Sequence, residues 1–181
     1  ENLHTGEILD LTGQAFADIK DRIIRTPRDP IVTFNDDPLR MLRAVRFATK
    51  LDFTIDPSTY SAICKMAKRL GIVSAERIRV EFVKILMNSN AGAGLELLRA
   101  TGLLDQFAPE LSAMCGVEQN FYHIYDVWTH TLKTLELIPP NSGIILRLAA
   151  LLHDVGKPET KSIDKNGVAH FYRHEAVGAD I

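Results

Sequence analysis

A histidine and an aspartate stand side by side at the end of an apolar run in the last third of the chain. These residues, His153 and Asp154, follow the stretch 144–152, and His130 lies upstream on another predicted helix. An imidazole and a carboxylate from adjacent residues, with a second imidazole from a preceding helix, can form one face of a metal coordination sphere. The spacing therefore predicts a divalent-metal site.

A second cluster of charged residues begins at two adjacent aspartates, Asp36 and Asp37. Helical steps of four and three lead from Asp36 to Arg40 and Arg43. Phe47 extends that face, and Asp37 precedes Arg40 by three positions. One interpretation is structural, an acid favoured by the helix dipole together with an i,i+3 ion pair. The other is base recognition, because Asp accepts from the exocyclic amino group that cytosine and adenine share, while Arg donates to a ring acceptor.

The composition is that of a globular protein. Of the 181 residues, 46% are hydrophobic, and no apolar run reaches the roughly 20 residues that a membrane span needs. The net charge of −2 lacks the basic excess of most nucleic-acid-binding domains. Basic residues nevertheless outnumber acids locally, between 18 and 50 and between 65 and 84. Such stretches are typical of a solvated helical face and also of a groove for phosphates.

The two cysteines and the first residues bear on the protein's compartment. Cys64 and Cys115 lie far apart in predicted helical contexts, without Cys or His at metal-ligand spacing. We expect reduced, packed thiols of a cytoplasmic protein. The sequence starts without Met and without a signal pattern, so we expect it to open inside a larger protein.

Helical periodicity dominates the chain after residue 30. Proline and glycine positions divide the predicted helices, which cover about 14–22, 38–49, 57–71, 74–88, 93–100, 125–137 and 142–155, with a last helix after residue 172. A short strand is predicted over 6–11 and a turn over 164–167. Asn35 or Asp36 is predicted to cap the helix that contains Pro38. The architecture is therefore mainly α, with a boundary near Gly116.

The stretch from Phe34 to Phe47, with its Asp-Asp-Pro-Leu-Arg core, closely resembles the neck-helix motif of bacterial tRNA nucleotidyltransferases. These are the class II CCA-adding enzymes and their poly(A) polymerase relatives. The run Ser74–Glu81 resembles the next neck motif, 6–25 resembles the close of the catalytic head, and 95–111 resembles the segment that leads out of the neck.

This resemblance implies roles for the charged residues. In the family an acid, an acid, two spacers and an Arg form a protein template for the incoming CTP or ATP, which gives that role to Asp37 and Arg40. The supporting nucleotide-binding residues are then Arg43, Asp36 and Arg77; the family's first acid is often Glu. The Gly-rich motif and the paired acids that hold Mg²⁺ in the head lie upstream in the family and have no counterpart in this sequence. We therefore expect this sequence by itself to be inactive in nucleotide addition.

The run from His153 to Lys157 resembles the HD-superfamily phosphohydrolases. Their ligands are a His, the His-Asp doublet and a distant Asp. On that resemblance His130 is the first ligand, the doublet supplies the next two, and the last Asp is expected beyond Ile181. His174 matches a position that in some HD proteins helps a second metal. Lys157 is assigned to phosphate, although a cation at a helix C-terminus also has a structural role.

Together the motifs predict a mainly α fold in three parts: the end of the nucleotidyltransferase head over 1–26, the helical neck over 27–115 and a truncated HD domain over 116–181. The whole enzyme is expected to add C and A to the tRNA 3′ end in the cytoplasm, with tRNA, CTP and ATP as partners and without a membrane. We expect Mg²⁺ in the head and a divalent transition metal at the HD site. Three alternatives stay open: a poly(A) polymerase of the same family, an HD-type metal-dependent phosphohydrolase, and an RNA-binding module without catalysis.

Overall fold

The computed structural model describes residues 4–6, 10–120 and 124–181, and they are mainly helical as predicted. The helices are α1 (Ala15–Asp21), α2 (Pro30–Asp36), α3 (Leu39–Leu51), α4 (Pro57–Met66), α5 (Ala75–Leu86), α6 (Ala91–Ala100), α7 (Pro109–Ala113), α8 (Val127–Glu136), α9 (Ile144–Leu152), α10 (Lys157–Thr160) and α11 (His174–Asp180). Two 3-10 helices cover Ala67–Ile72 and Leu104–Gln106. The short strands β1 (Ile23–Ile24) and β2 (Thr54–Ile55) pair in parallel, and β3 (Lys161–Ile163) and β4 (Ala169–Phe171) pair antiparallel.

Helix α3 is the centre of the first half of the molecule. Its apolar face includes the fully buried Leu42 and Val45 and packs against α5 and α6. Gly94 permits this close approach, because a Cβ there would lie 2.7 Å from Ile85 Cγ2 and from Thr49 Oγ1. The same helix α6 also packs against α8, which in turn packs against α9. The core therefore continues from the first half into the second.

Aspartates fix the starts of several helices. The Asp56 carboxylate accepts hydrogen bonds from the backbone amides of Ser58 and Thr59, at 3.0 and 3.1 Å, and so caps α4. It also pairs with Arg25 at 2.8 Å, which joins α4 to the segment after β1. Asp126 caps α8 through the Thr129 amide at 2.8 Å.

The beginning of α3 differs from the prediction. Asn35 and Asp36 do not cap α3 but form the last turn of α2, which the sequence reading missed. Asp29 caps α2 and Pro30 opens it. The chain then breaks at Asp37, because a residue before proline is disfavoured in helical geometry.

Other predictions need correction or lie outside the description. Cys64 and Cys115 are exposed rather than packed, and no disulfide joins them. The β3–β4 hairpin forms around the turn that was predicted without flanking strands. Of the strand predicted over 6–11, residues 7–9 lie outside the described residues, and the others are not in a strand. Within the described ranges, no helix has the length and apolar character needed to cross a bilayer.

Candidate functional site

Asp37 occupies the junction of three helices. It stands between α2 and α3, and its carboxylate pairs with Arg77 of α5 across 3.0 Å. The other carboxylate oxygen accepts from the Leu39 amide at 3.2 Å. Since Asp37 carries these two contacts at the surface, its carboxylate is oriented by both α3 and α5 while still accessible to a ligand.

Arg40 and Arg43 border a cavity of about 220 Å³ beside the start of α3. The Arg40 guanidinium donates to the Thr33 carbonyl at 3.3 Å. Phe47 lines this cavity and also a larger neighbouring cleft of about 630 Å³. The Arg46 guanidinium lies 4.2 Å from the centre of the Phe47 ring. An aromatic ring and the Arg40 and Arg43 side chains thus line one cavity, which suits a planar, hydrogen-bonding ligand. Asp37 is not among the residues that line it.

Asp36 does not share this face. It ends α2 and pairs with Arg28 at 2.8 Å, with both side chains exposed to solvent. The predicted alignment of Asp36 with Arg40 on one helix is therefore wrong, because the helix breaks between them.

The second cluster brings three predicted ligands together. His130 of α8 and the His153–Asp154 doublet after α9 each offer one ligand atom, and these atoms lie within 4.8 Å of one another. The Nε2 atoms of His153 and His130 are 3.1 and 3.8 Å from Asp154 Oδ2. Asp154 is only 3% exposed, and His153 is exposed at the rim. A buried carboxylate and two imidazoles form a donor set that divalent transition metals accept.

Backbone carbonyls orient two of the imidazole rings. His153 Nδ1 lies 2.8 Å from the Ala150 carbonyl and donates to it, so that Nε2 is directed to Asp154. His174 Nδ1 donates in the same way to the Phe171 carbonyl at 2.9 Å, and its Nε2 is 3.5 Å from Asp154 Oδ1. Such bonds fix the tautomer of a metal-ligating histidine. His174 therefore joins the predicted cluster from the other side of the carboxylate.

Lys157 lies inside the cluster as its buried cation. Its ammonium donates to Asp154 Oδ2 and to Gln119 Oε1, each at 2.8 Å. It opens α10 instead of closing a helix, so the interpretation as a C-terminal helix cation is wrong. The contact with Gln119 had no signal in the sequence, because these residues come from separate elements. The indication for Lys157 was its place three positions after Asp154, in the run that resembles the HD motif.

Electrostatics favour an ionised Asp154. Burial by itself would raise its pKa, but hydrogen bonds from His153 and Lys157 outweigh this and hold the pKa well below its usual value. The hydrogen bond with Asp154 also raises the pKa of His153. The carboxylate is thus ionised at neutral pH, whereas the raised pKa of His153 makes its imidazole harder to deprotonate and so disfavours metal binding as the pH falls.

Comparison with known proteins places the His-Asp cluster in one recognised domain and Arg77, but not Asp37 or Arg40, in another. A family model described as "Probable RNA and SrmB- binding site of polymerase A" matches residues 52–115, and the HD domain model matches residues 120–181. An A-adding tRNA nucleotidyltransferase from Deinococcus radiodurans is 38% identical over 91% of this chain. A CC-adding tRNA nucleotidyltransferase from Thermus thermophilus is 38% identical over 80% of it. The chain is thus similar to part of these tRNA nucleotidyltransferases.

The structural comparison agrees with this assignment. The CCA-adding enzyme of Bacillus stearothermophilus, crystallised in complex with CTP, has a TM-score of 0.60 and 27% identity over 90% of this chain and 36% of its own. The chain spans 39% and 36% of the lengths of the Deinococcus and Thermus relatives. It corresponds to the neck and HD regions of the tRNA nucleotidyltransferase family.

Proposed function

We propose that the neck of this tRNA nucleotidyltransferase selects CTP and ATP for addition to the tRNA 3′ end. Asp37 and Arg40 are the template, Arg43 supports them, and Arg77 holds Asp37. The observation that carries the proposal is the ordered pair at the start of α3: a carboxylate held by Arg77 at 3.0 Å, and Arg40 one turn further along, bordering a cavity.

The chemistry of these groups matches the amino-substituted bases. A carboxylate accepts a hydrogen bond from the exocyclic amino group of cytosine or adenine and repels the carbonyl oxygen of uracil or guanine. A guanidinium donates to the adjacent ring nitrogen. Transfer itself needs the Gly-rich motif and the paired acids that hold Mg²⁺ in the head, and this sequence lacks both. We propose that the chain by itself adds no nucleotides and that tRNA, CTP and ATP are partners of the whole enzyme in the cytoplasm.

Asp37→Ala in the enzyme that includes the catalytic head tests this proposal. Loss of one charge-assisted hydrogen bond costs about 1.5 to 3 kcal/mol, and we expect that loss only for CTP and ATP. The measurement is kcat/KM for all four nucleoside triphosphates on a tRNA acceptor. Asp105→Ala, which removes an exposed carboxylate from a 3-10 helix, is the matched control. Equal losses for the four nucleotides would contradict a template role.

The HD cluster supports a second activity, metal-dependent phosphohydrolysis. Its ligands are His130, His153 and Asp154, with His174 as the auxiliary ligand. A divalent metal bound there supplies a Lewis acid and an activated water. Lys157 holds the Asp154 carboxylate in its ionised form and places a positive charge beside the site, which favours a phosphate. The observation that carries this proposal is that three ligand atoms, two from imidazoles and one from the buried Asp154 carboxylate, lie within 4.8 Å of one another.

Calorimetry with Mn²⁺, Co²⁺ or Ni²⁺ at neutral pH tests the metal site directly. We expect uptake by the protein, and a loss of affinity of at least tenfold in His153→Ala and in Asp154→Asn. Glu159→Gln, an exposed acid of α10, is the control. Unchanged metal affinity in both ligand variants would reduce the doublet to a structural feature. Nucleotide addition by the whole enzyme is expected to persist in these variants, because the two clusters lie in separate family regions.

A further inference from the structure

The β3–β4 hairpin carries a pair of stacked rings that neither proposed site uses. His170 and Tyr172 lie with ring centroids 5.3 Å apart and planes inclined by only 7°. The Tyr172 hydroxyl is 3.4 Å from His170 Nδ1, and Tyr172 is 71% exposed. The pair is therefore a preformed stack whose tyrosine is open to solvent.

The turn of the hairpin fixes the His170 ring of the stack. His170 Nε2 is 3.3 Å from Asp164 Oδ2. The other oxygen of Asp164 accepts from the Asn166 and Val168 amides at 2.8 and 2.9 Å, so the carboxylate itself is anchored. Because Asp164 fixes the His170 ring, the Tyr172 ring stacks on an ordered partner. Tyr172 therefore loses little conformational freedom when a further ring stacks on it.

The same strand connects this stack to the HD cluster. Alternate residues of a strand face opposite sides, and the ring of Phe171, between the two stacked residues, lies 5.5 Å from Lys157 Nζ. The Phe171 carbonyl accepts from His174. Tyr172 is two residues from His174, so their Cα atoms are at most about 7 Å apart. The stack therefore faces the side of the hairpin opposite Lys157, although Tyr172 lies next to the HD cluster along the chain.

A positive charge follows the exposed tyrosine. Arg173, the next residue, is exposed. Arg173 has a left-handed backbone with φ of 62°, which turns the chain sharply from β4 into α11. The neighbouring acid Glu175 is 3.4 Å from His174 Nδ1 and so faces that ring. Aromatic faces beside basic side chains are the usual means of holding single-stranded RNA without reading its sequence.

We propose that His170 and Tyr172 form a base-stacking platform for single-stranded RNA beside the HD cluster. A base stacks on Tyr172, and Arg173 lies near its phosphate. Delivery of a strand from the platform to the HD cluster rests on the proposed phosphohydrolase function, whereas stacking on the platform needs no metal.

The test compares two ligands that carry the same phosphates, hexa-adenylate RNA and an abasic hexamer, by fluorescence anisotropy in EDTA. Tyr172→Leu removes the aromatic face and Tyr172→Phe retains it. We expect Tyr172→Leu to weaken hexa-adenylate binding by between about fivefold and a hundredfold, and Tyr172→Phe to bind like the wild type. Abasic binding is expected to be equal in all proteins. Phe16→Leu, which replaces an exposed aromatic on α1, is the control.

Equal binding of hexa-adenylate by the wild type and Tyr172→Leu overturns the platform, as does equal binding of both hexamers by the wild type. The affinities for AMP and for ribose 5-phosphate are then compared to identify the source of the base. If Tyr172→Leu weakens AMP binding as much as hexa-adenylate binding, a free nucleotide suffices. If Tyr172→Leu weakens only hexa-adenylate binding, a strand is required. Base-dependent binding in EDTA together with no metal uptake would retain the platform and remove the phosphohydrolase.

Discussion

Arg77 pairs with Asp37, the carboxylate that we propose as half of the nucleotide template. Its guanidinium meets the Asp37 carboxylate at 3.0 Å, but 53% of its side chain is exposed. Exposed ion pairs contribute only about 0–1 kcal/mol to stability. The contact with Asp37 therefore matters for the direction of a carboxylate more than for the fold.

We predict that Arg77→Gln leaves the unfolding midpoint nearly unchanged but reduces the preference for CTP and ATP over UTP and GTP by about tenfold. Arg77→Lys is expected to restore part of that preference, because the positive charge remains. The measurement is the ratio of kcat/KM values in the head-containing enzyme. Arg79→Gln, on the same helix and exposed, is the control. Full discrimination in Arg77→Gln would exclude a positioning role.

Arg40→Lys addresses the other half of the template. An ammonium cannot reproduce the planar fork that reads a base edge, and it also loses the geometry of the 3.3 Å bond to the Thr33 carbonyl. We expect kcat/KM for CTP and ATP to fall at least tenfold, with the tRNA affinity unchanged. Normal kinetics with lysine would show that Arg40 acts only through its charge.

Single residues also mark how far sequence reasoning reaches. The convergence of His130, His153 and Asp154 was predictable because a doublet after a helix and a histidine on the preceding helix are constrained by helix geometry. That they bind a metal stays a prediction. The contact of Lys157 with Gln119 was not, since it depends on how two distant segments pack. Asp36 was assigned to the wrong helix because the break before Pro38 was read as a cap.

At the scale of elements, an aspartate-proline pair starts two of the helices, α2 and α4. It predicted α4, which begins after Asp56, and the same signature before α2, at Asp29, was overlooked. The β3–β4 strands, three residues each, are too short for a periodicity to be seen. Capping residues are therefore better guides to this fold than hydrophobic periodicity is.

Asp56→Ala is predicted to destabilise the protein by about 1–2 kcal/mol, the usual effect of losing an N-cap. Hydrogen bonding from Ser58 lowers the pKa of Asp56. The carboxylate therefore stabilises the fold at pH values above its unfolded pKa of about 3.9, and this contribution is lost as the pH falls through the lower folded pKa. Urea unfolding at pH 7 and pH 3 measures both effects. Asp56→Asn, which retains a capping oxygen, should be less destabilising at pH 7 and less sensitive to acid.

Gly94→Ala tests the close packing of α6 on α3 and α5. The added methyl would lie 2.7 Å from both Ile85 Cγ2 and Thr49 Oγ1, so the helices must move apart. Overpacking of this kind costs about 1–3 kcal/mol, which urea unfolding detects. Gly71→Ala adds a methyl where no atom lies within 4 Å and is the control. Equal stability of the two variants would mean that α6 shifts freely.

At the scale of the whole molecule, two polar contacts join the neck to the HD region. The Trp128 indole of α8 donates to Glu96 of α6 at 2.7 Å, and Glu96 also binds Arg99 at 2.6 Å. Arg147 of α9 is 2% exposed and donates to the Leu86 carbonyl at the end of α5. The sequence indicated a boundary near residue 116 but not this continuity, because it depends on one arginine in an otherwise apolar helix.

Arg147→Met is predicted to uncouple the two regions. Arg147 donates to the carbonyls of Leu86, Asn88 and Pro140 at 3.1, 3.4 and 3.4 Å. Methionine fills much of the same space but leaves these carbonyls without their donor, and a buried unsatisfied polar group costs about 1–3 kcal/mol. We expect a lower free energy of unfolding and two unfolding transitions in urea. Trp128 fluorescence monitors the HD region, and circular dichroism monitors all helices. Arg79→Met, on an exposed site of α5, is expected to unfold in one transition like the wild type. A single, equally stable transition in Arg147→Met would show that apolar packing of α8 and α9 suffices to hold the HD region on the neck.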